Sequence, residues 1–225
     1  MIEKSRVGET TASETSTEYF CSNLSLGLHA VAQPLTIVRA SLVKSYTNRM
    51  TREELQELTG TLAFEVERVC ALFSCLQQLV HIESTKPHLS ALPILPLLTY
   101  AAEGVDLIYK KSDMLLSSVL PDSCETIVAN RERTIEALSG ILLIAHSLSH
   151  SKETVELIVS PSLKTVRVVV QNVNTQVSAL NAQASLNLAV AGANIRSLGA
   201  TLSWSFQPFR VEMDFQKASS RPHEL

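Results

Sequence analysis

The chain has 225 residues, 45% of them hydrophobic and 18% charged, with a formal net charge of -3 at pH 7. This composition is typical of a folded protein with one sizeable domain or two small ones. The weak charge and the 5% share of aromatic residues exclude the basic stripe and the base-stacking surface of a dedicated nucleic-acid-binding protein. The N-terminal segment is polar and acidic, and we expect no apolar run of the ~20 residues that a membrane span needs. The predicted location is therefore cytoplasmic, with neither a membrane segment nor a nucleic-acid partner.

The first half of the chain has the pattern of two long helices. Residues 1–15 are rich in Ser, Thr and Glu and are predicted to form a disordered tail. A second helix is predicted to begin at Thr51, because Thr51 and Glu54 have the spacing of a capping box. Apolar residues in both helices alternate steps of four and three, as in a supercoiled seam. The seam positions are Leu24, Leu28, Val31, Leu35, Val38 and Leu42 in the first helix, and Leu55, Leu58, Leu62, Val69, Leu72, Leu76 and Leu79 in the second.

An antiparallel helical hairpin over residues 16–84 would bury only a narrow stripe on each helix. The stable solution is to pair two hairpins into a dimeric four-helix bundle, so the pattern predicts a homodimer. Glu65 occupies a seam position where an apolar residue was due. It is either a tolerated edge residue or a buried polar contact.

The remainder, 85–225, alternates helix and strand signals after a proline-containing linker that follows His81. Strands in direct succession at each end favour a mixed α+β sandwich over a doubly wound parallel sheet. The predicted helices are 94–111, 131–149 and 184–198, and the predicted strands are 114–120, 125–129, 154–160, 165–171, 201–206 and 210–215. The predicted fold class is therefore α+β, with the helical hairpin first and the sandwich second.

His29 is the candidate functional residue of the first helix. It lies one residue past Leu28, about 100° round the helix, and is therefore expected on the exposed flank. Gln33 is one turn further on and shares that face. Pro34 is expected to bend this turn, because it leaves the carbonyl of Ala30 without its usual donor. An exposed imidazole that titrates near neutral pH is a competent nucleophile toward a phosphoryl group.

The run that contains His29, Gln33, Pro34, Thr36 and Arg39 resembles the phosphoacceptor box of bacterial sensor histidine kinases. In that box a histidine precedes a proline by five residues, and a Leu-Thr pair follows. The resemblance implies that His29 accepts the phosphoryl group and that Gln33 orients a water for dephosphorylation. It also implies that Thr36 belongs to the catalytic face, that Arg39 contacts a partner, and that Pro34 is structural.

The predicted sandwich resembles the ATP-binding domain of the histidine kinase, gyrase and Hsp90 superfamily, but its nucleotide motifs are altered. An apolar side chain cannot coordinate a hard cation, whose ligands are oxygens. In the family, asparagines that reach Mg²⁺ and phosphate stand at the positions of Gly140 and Ile144. An aspartate that contacts adenine, followed by a glycine, stands at the positions of Asn172 and Asn174. Glycines of the phosphate-binding loop stand at the positions of Ser185 and Asn187. The acidic residue that usually follows the phosphoacceptor is Ala30 here, and the loop over the nucleotide is short. The resemblance therefore implies a degenerate domain that no longer binds ATP and needs no cofactor.

Kinase-derived histidine phosphotransferases, which relay phosphate without ATP, are similar to this chain in size and domain order. The resemblance implies a phosphorelay in which His29 receives its phosphoryl group from a response regulator receiver domain, whose own Mg²⁺ neutralises charge. Two alternatives stay open. The chain could be a non-catalytic adaptor or pseudokinase dimer that binds a kinase or receiver, or an active soluble histidine kinase.

Two other constellations carry less weight. His146 and His150 stand four residues apart near a helix end, a spacing that can hold a metal ion, but no third ligand is evident. We therefore expect no metal site. The four cysteines form no CxxC pair and are expected to be reduced and buried.

Overall fold

The computed structural model describes residues 16–47, 49–121, 125–175 and 180–218. The tail predicted to be disordered, residues 1–15, lies outside the described residues, as does part of the loop predicted to be too short for a lid, residues 176–179.

Two long antiparallel helices open the chain. Helix α1 spans Ser16–Thr47 and continues through Pro34, and helix α2 spans Arg52–Ser84. The predicted capping box is confirmed: the Glu54 amide donates to the Thr51 hydroxyl (3.2 Å), and the Thr51 amide donates to the Glu54 carboxylate (2.8 Å). This reciprocal pair satisfies backbone donors that the first turn of α2 leaves free.

The second part is a mixed sheet with helices against one face. The elements follow in the order β1 (Ser90–Pro93), α3 (Ile94–Lys111), β2 (Leu115–Val119), β3 (Thr126–Ala129), α4 (Arg131–Leu148), β4 (Thr154–Pro161), β5 (Thr165–Asn172), α5 (Ala182–Ser197), β6 (Thr201–Phe206) and β7 (Phe209–Gln216). The five-stranded sheet has the order β2-β4-β5-β7-β6, in which only β2 and β4 are parallel. Strands β1 and β3 form a separate antiparallel pair. The predicted α+β architecture is confirmed.

One face of the five-stranded sheet is buried and the other is polar, as the period-two alternation of its strands requires. The buried face packs on the helices and includes Val155, Leu157, Val166, Val168, Val170, Val211, Met213 and Phe215. On the outer face, Arg167 makes a bidentate ion pair with Asp214, with both N–O distances 2.9 Å. Arg210 contacts Glu212 and Gln171 there, each at 2.6 Å. These four charged side chains are therefore paired with one another.

A second buried cluster joins the hairpin to the sandwich through α5. It contains Ala30 and Val31 of α1, Leu72, Cys75, Leu76, Leu79 and Ile82 of α2, and Leu186, Ala189 and Ala193 of α5. Helix α5 therefore has two buried faces, one against the hairpin and one against the sandwich core. Gly199, at φ +71°, ends the helix in the left-handed conformation that glycine adopts without strain.

Arg133, in the first turn of α4, closes the C-terminal end of α2. It is 8% exposed and donates to the Ile82 carbonyl (3.3 Å), the Thr85 carbonyl (2.7 Å) and the Thr85 hydroxyl (2.6 Å). The last carbonyls of a helix have no donor within the helix. Arg133 supplies donors from the other part of the protein and so ties the two parts together.

We expect Arg133→Met to lower the free energy of unfolding by about 2–3 kcal/mol, because it removes the guanidinium donors of the buried Ile82 carbonyl and of Thr85. The matched control is Arg131→Met, which removes an exposed guanidinium 5.8 Å from the ring centre of Tyr100. Its expected cost is below about 1 kcal/mol. Urea denaturation of both variants measures the difference. Equal losses would contradict the assigned role of Arg133.

The expectation that no apolar run reaches the length of a membrane span is corrected. Among the described residues, one helical stretch, 18–47, is long and apolar enough to cross a bilayer by length and composition, with a mean hydropathy of 1.3. Core helices of soluble proteins have the same composition, and α1 packs part of its surface on α2 and α5. The absence of a membrane segment therefore stays a prediction.

Candidate functional site

His29 lies on the outer face of α1, away from the rest of the protomer. The buried residues of this stretch are Gly27, Ala30, Val31 and Pro34, and they face α2 and α5. His29 is exposed and stands about 160° round the helix from Gly27 and Val31. No described residue seals the imidazole, so its ring nitrogens are open to a docking protein.

Gln33 and Thr36 share this face, four and seven residues after His29, and both are exposed. The Thr36 hydroxyl donates to the Ala32 carbonyl at 2.8 Å, so it can serve a partner only as an acceptor. Arg39 is also exposed but lies about 15 Å further along the axis and about 80° round the helix from His29. The structure therefore brings Gln33 and Thr36 beside His29 and places Arg39 on the neighbouring face.

The seam positions of α1 divide into two sets. Val31 is 5% exposed and belongs to the cluster shared with α2 and α5, whereas Leu28, Leu35 and Leu42 are 44–55% exposed. Glu65 of α2 is buried, and its Oε2 lies 3.7 Å from the Arg68 guanidinium as an ion pair but accepts no hydrogen bond from a described residue. The open alternative at Glu65 is thereby decided.

The positions that carry metal-binding asparagines in the resembling family have no ligand atoms in α4. Ile144 is 1% exposed and belongs to the sandwich core. Gly140 is partly exposed, and a Cβ added there would meet no atom within 4 Å. Helix α4 therefore offers no oxygen at either position to hold a hard cation.

Asn172, at the position of the adenine-contacting aspartate, is fully buried. Its amide nitrogen donates to Ser149 Oγ (2.7 Å) and to Glu153 Oε2 (2.8 Å), and its amide oxygen accepts from the backbone of Asn174 (3.0 Å). Both amide hydrogens of this buried side chain are therefore committed to internal hydrogen bonds, so it has no donor left for a ligand.

Glu153 is the centre of this network. Its carboxylate accepts from the His150 backbone N–H (2.9 Å), the Thr175 hydroxyl (2.7 Å) and Asn172. The bond from His150, followed by those from Thr175 and Asn172, lowers the pKa of Glu153 below its ordinary value of 4.5. The ionised form is therefore favoured by folding, and sequence reasoning missed this residue because two of its partners, Asn172 and Thr175, lie about twenty residues further along the chain.

Glu153→Gln is expected to destabilise the protein most at neutral pH. A lowered pKa stabilises the folded state at pH values above the unfolded pKa, and this contribution is lost as the pH falls through the folded pKa. The stability difference between wild type and variant should therefore be largest near pH 7 and shrink below pH 4.5. Urea denaturation between pH 3 and pH 7 measures it, and a difference that grows toward acid pH would contradict the network.

Helix α5 begins where the resembling domains cradle phosphate. Asn181 caps it by accepting from the Ala184 amide (2.8 Å). Asn187 faces α2, where its amide oxygen accepts from Gln183 (3.2 Å) and from the Cys75 thiol (3.0 Å). Asn187 therefore belongs to the contact with the hairpin.

His146 and His150 have different neighbours. His146 is 2.8 Å from the Ser112 hydroxyl and packs edge-on against Tyr109, whereas His150 is exposed and 3.7 Å from Glu153. Within the described parts of the chain, no three His, Cys, Asp or Glu residues are grouped to hold a metal ion. Cys75 is buried, but Cys21 and Cys70 are exposed, which corrects the expectation of buried thiols.

Comparison with known proteins gives matches among solved structures. No family model and no curated protein matches the chain. The Acinetobacter baumannii histidine kinase AdeS aligns with a TM-score of 0.63 and 16% identity over 86% of this chain and 98% of that one. Histidine kinase ThkA, in complex with the response regulator protein TrrA, aligns with a TM-score of 0.68 and 13% identity over 86% of this chain and 61% of that one. Full-length ShkA in complex with AMPPNP aligns with a TM-score of 0.57 and 16% identity over 91% of this chain and 47% of that one.

These identities are low, so the likeness concerns the fold. The alignments to AdeS and ThkA each cover 86% of the chain, which is more than either the hairpin or the sandwich alone. The chain therefore has a histidine kinase-like fold, in which a helical region is followed by an α/β sheet domain.

Proposed function

We propose that the chain is a histidine phosphotransfer protein of a two-component phosphorelay, which accepts and passes on a phosphoryl group at His29 without using ATP. The partner is a response regulator receiver domain that carries an aspartyl phosphate. The observation that carries the proposal is the exposed His29 imidazole, five residues before the buried Pro34 of a kinase-like hairpin.

The transfer requires little of this chain beyond a positioned nucleophile. An unprotonated ring nitrogen of His29 attacks phosphorus, the P–O bond to the receiver aspartate breaks, and the aspartate leaves as a carboxylate. The phosphoimidazole then loses its remaining ring proton to water. The receiver's own Mg²⁺ neutralises charge on the transferring group. On the same face, the Gln33 amide can donate to the phosphoryl oxygens, and the Gln33 carbonyl and the Thr36 hydroxyl oxygen can accept from a water.

Loss of ATP chemistry is supported by the side chains at the nucleotide positions. Ile144 is in the core, Asn172 is held by Ser149 and Glu153, and Asn187 is held by Gln183 and Cys75. None of these three is free to contact a nucleotide. We therefore place the source of the phosphoryl group in another protein and expect the chain to act in the cytoplasm.

The hairpin is proposed to form a homodimer through the apolar side chains that it leaves exposed. On each helix they recur every seven residues, which is the period of a supercoiled contact. They are Leu28, Leu35 and Leu42 on α1, and Val66, Phe73 and Val80 on α2, all 44–55% exposed.

These two stripes lie on the same side of the hairpin. Leu28 and Leu35 each directly follow a buried residue of α1, and Phe73 and Val80 each directly follow a buried residue of α2. Each stripe is therefore rotated by about 100° in the same sense from the face that meets the other helix. Because the helices are antiparallel, both rotations lead to one side, opposite the side that α5 covers. A second copy could pack there without displacing the sandwich.

The adaptor reading is the second candidate, and the residue after His29 favours it. Ala30 is 7% exposed and cannot activate the imidazole as the acidic residue of the resembling family does. A dimer that binds a kinase or receiver and acts by occupancy would need no phosphoryl group on His29.

The test is to mix the purified protein with phosphorylated receivers and resolve acid-labile protein phosphate. Label that passes from a receiver to this chain supports the phosphotransferase. Stable receiver binding without label in this chain would favour the adaptor. A parallel incubation with labelled ATP and Mg²⁺ should give no label, and label there would show an active kinase.

A further inference from the structure

Helix α5 packs against the turn of α1 that carries His29, here called the phosphoacceptor turn, on the side opposite the imidazole. Leu186 of α5 is fully buried and belongs to the same cluster as Ala30 and Val31, the two residues that follow His29. At Gly27, two residues before His29, an added Cβ would overlap Leu76 of α2 and stand 3.1 Å from Leu186. Three helices therefore meet at Gly27 with no room for a methyl group.

Further contacts hold α5 and the sandwich on the hairpin. Near the start of α5, Asn187 accepts from the Cys75 thiol, whose pKa is raised by burial. Near its end, the Arg196 guanidinium stacks 3.5 Å from the centre of the Tyr19 ring of α1. Arg133 ties α4 to the last turn of α2, as described above. The contact is thus fixed at several separate points.

The position of this contact matters for His29. The residues that meet α5 are the immediate neighbours of His29, but their side chains point to the opposite side of α1. Pro34 removes one hydrogen bond from the same stretch, so this turn depends more on packing than the rest of the helix. Helix α5 supplies that packing and leaves the imidazole uncovered.

We propose that α5 is the positioning element of the phosphoacceptor turn: Leu186 holds the turn that carries His29 in place, and phosphotransfer proceeds while the sandwich stays fixed on the hairpin. This rests on the proposed function. The hairpin-facing side of α5 then has a role in phosphotransfer that requires no nucleotide.

Leu186 and its neighbour Leu188 provide a matched comparison. Both are buried leucines of α5, but Leu186 faces the hairpin cluster and Leu188 the sandwich core. Leu186→Ala should lower the first-order transfer rate within the receiver complex at least about tenfold, because misplacing a nucleophile by about 1 Å has effects of this size. Leu188→Ala should leave that rate within about twofold while costing similar stability, and Leu186→Met should restore it.

The second experiment traps the docked arrangement. In a Cys21→Ser, Cys70→Ser, Cys124→Ser background, Asn187→Cys places a thiol beside Cys75. Oxidation should join the two thiols within one chain, and transfer should continue at nearly the rate of the reduced protein. The control adds Cys75→Ser and cannot form this bond. A cross-link that stops transfer, or one that does not form, would overturn the proposal.

Amide hydrogen exchange separates this proposal from the proposed function. Leu186→Ala should speed exchange over residues 24–34, and Leu188→Ala should not. If the wild type takes no label from any receiver, the phosphotransferase fails, yet the exchange and cross-linking results still decide whether α5 fixes the turn. Equal exchange rates over residues 24–34 in Leu186→Ala and Leu188→Ala would contradict the positioning role of α5 even if transfer occurs.

Discussion

His29→Gln is expected to abolish labelling by every phosphorylated receiver that labels the wild type. Glutamine retains a polar side chain of similar length but has no ring nitrogen that can form an N–P bond. Because His29 is exposed and makes no contact within the protomer that the fold needs, the variant should keep the unfolding midpoint of the wild type. The measurement is acid-labile label after mixing with a phosphorylated receiver, read beside a denaturation curve.

The control for this variant is His81→Gln. His81 is also exposed and also lies on a hairpin helix, but it is outside the face formed by His29, Gln33 and Thr36. It should take label like the wild type. Label that persists in His29→Gln would assign the phosphoacceptor to another residue, and label that is lost equally in both variants would contradict a specific role of His29.

The second large effect is loss of the dimer, which is expected when charges are introduced into the two exposed apolar stripes of the hairpin. The double variant Leu35→Glu, Phe73→Glu should convert a dimer into a monomer with a mass near 24.6 kDa, because burying a carboxylate in an apolar seam without a partner is strongly unfavourable. Both residues are about half exposed within the protomer, so the protomer itself should stay folded. Light scattering after size exclusion measures the mass.

Phe64→Glu is the matched control for this prediction. Phe64 is 63% exposed and lies nine residues before Phe73, about 180° round α2, on the side away from the proposed seam. This variant should remain dimeric. A wild type that is monomeric at micromolar concentration would contradict the dimer directly, and dissociation of the Phe64 variant alone would place the interface on the other side of the hairpin.

The helical hairpin and most of the sandwich elements could be predicted because they depend on local patterns. The Thr51–Glu54 capping box is a contact over three residues, and the helix and strand periods follow from backbone geometry. Strand β1 was missed because Pro87 and Pro93 indicated a linker. Its pairing with β3 depends on a segment more than thirty residues away, which no local pattern can contain.

Long-range packing explains the other differences. The seam of α1 was predicted as one continuous contact, but α5 and α2 take one set of its positions and leave Leu28, Leu35 and Leu42 free. The pattern of α5 itself gives no sign that two of its sides are buried against different units. Arg133 and Glu153 look like ordinary surface charges in the sequence, and only their distant partners define them. His29 was expected to be exposed because it follows the seam residue Leu28, but Leu28 is itself exposed, and His29 is exposed because it lies about 160° from the buried Gly27 and Val31.

The outer face of the five-stranded sheet has one further consequence, which concerns how a partner is attracted. The Arg167–Asp214 and Arg210–Glu212 pairs hold opposite charges within hydrogen-bonding distance, so their fields largely cancel a few ångströms above the surface. Long-range steering of a charged partner should therefore gain little from this face, and added salt should change association through it only slightly.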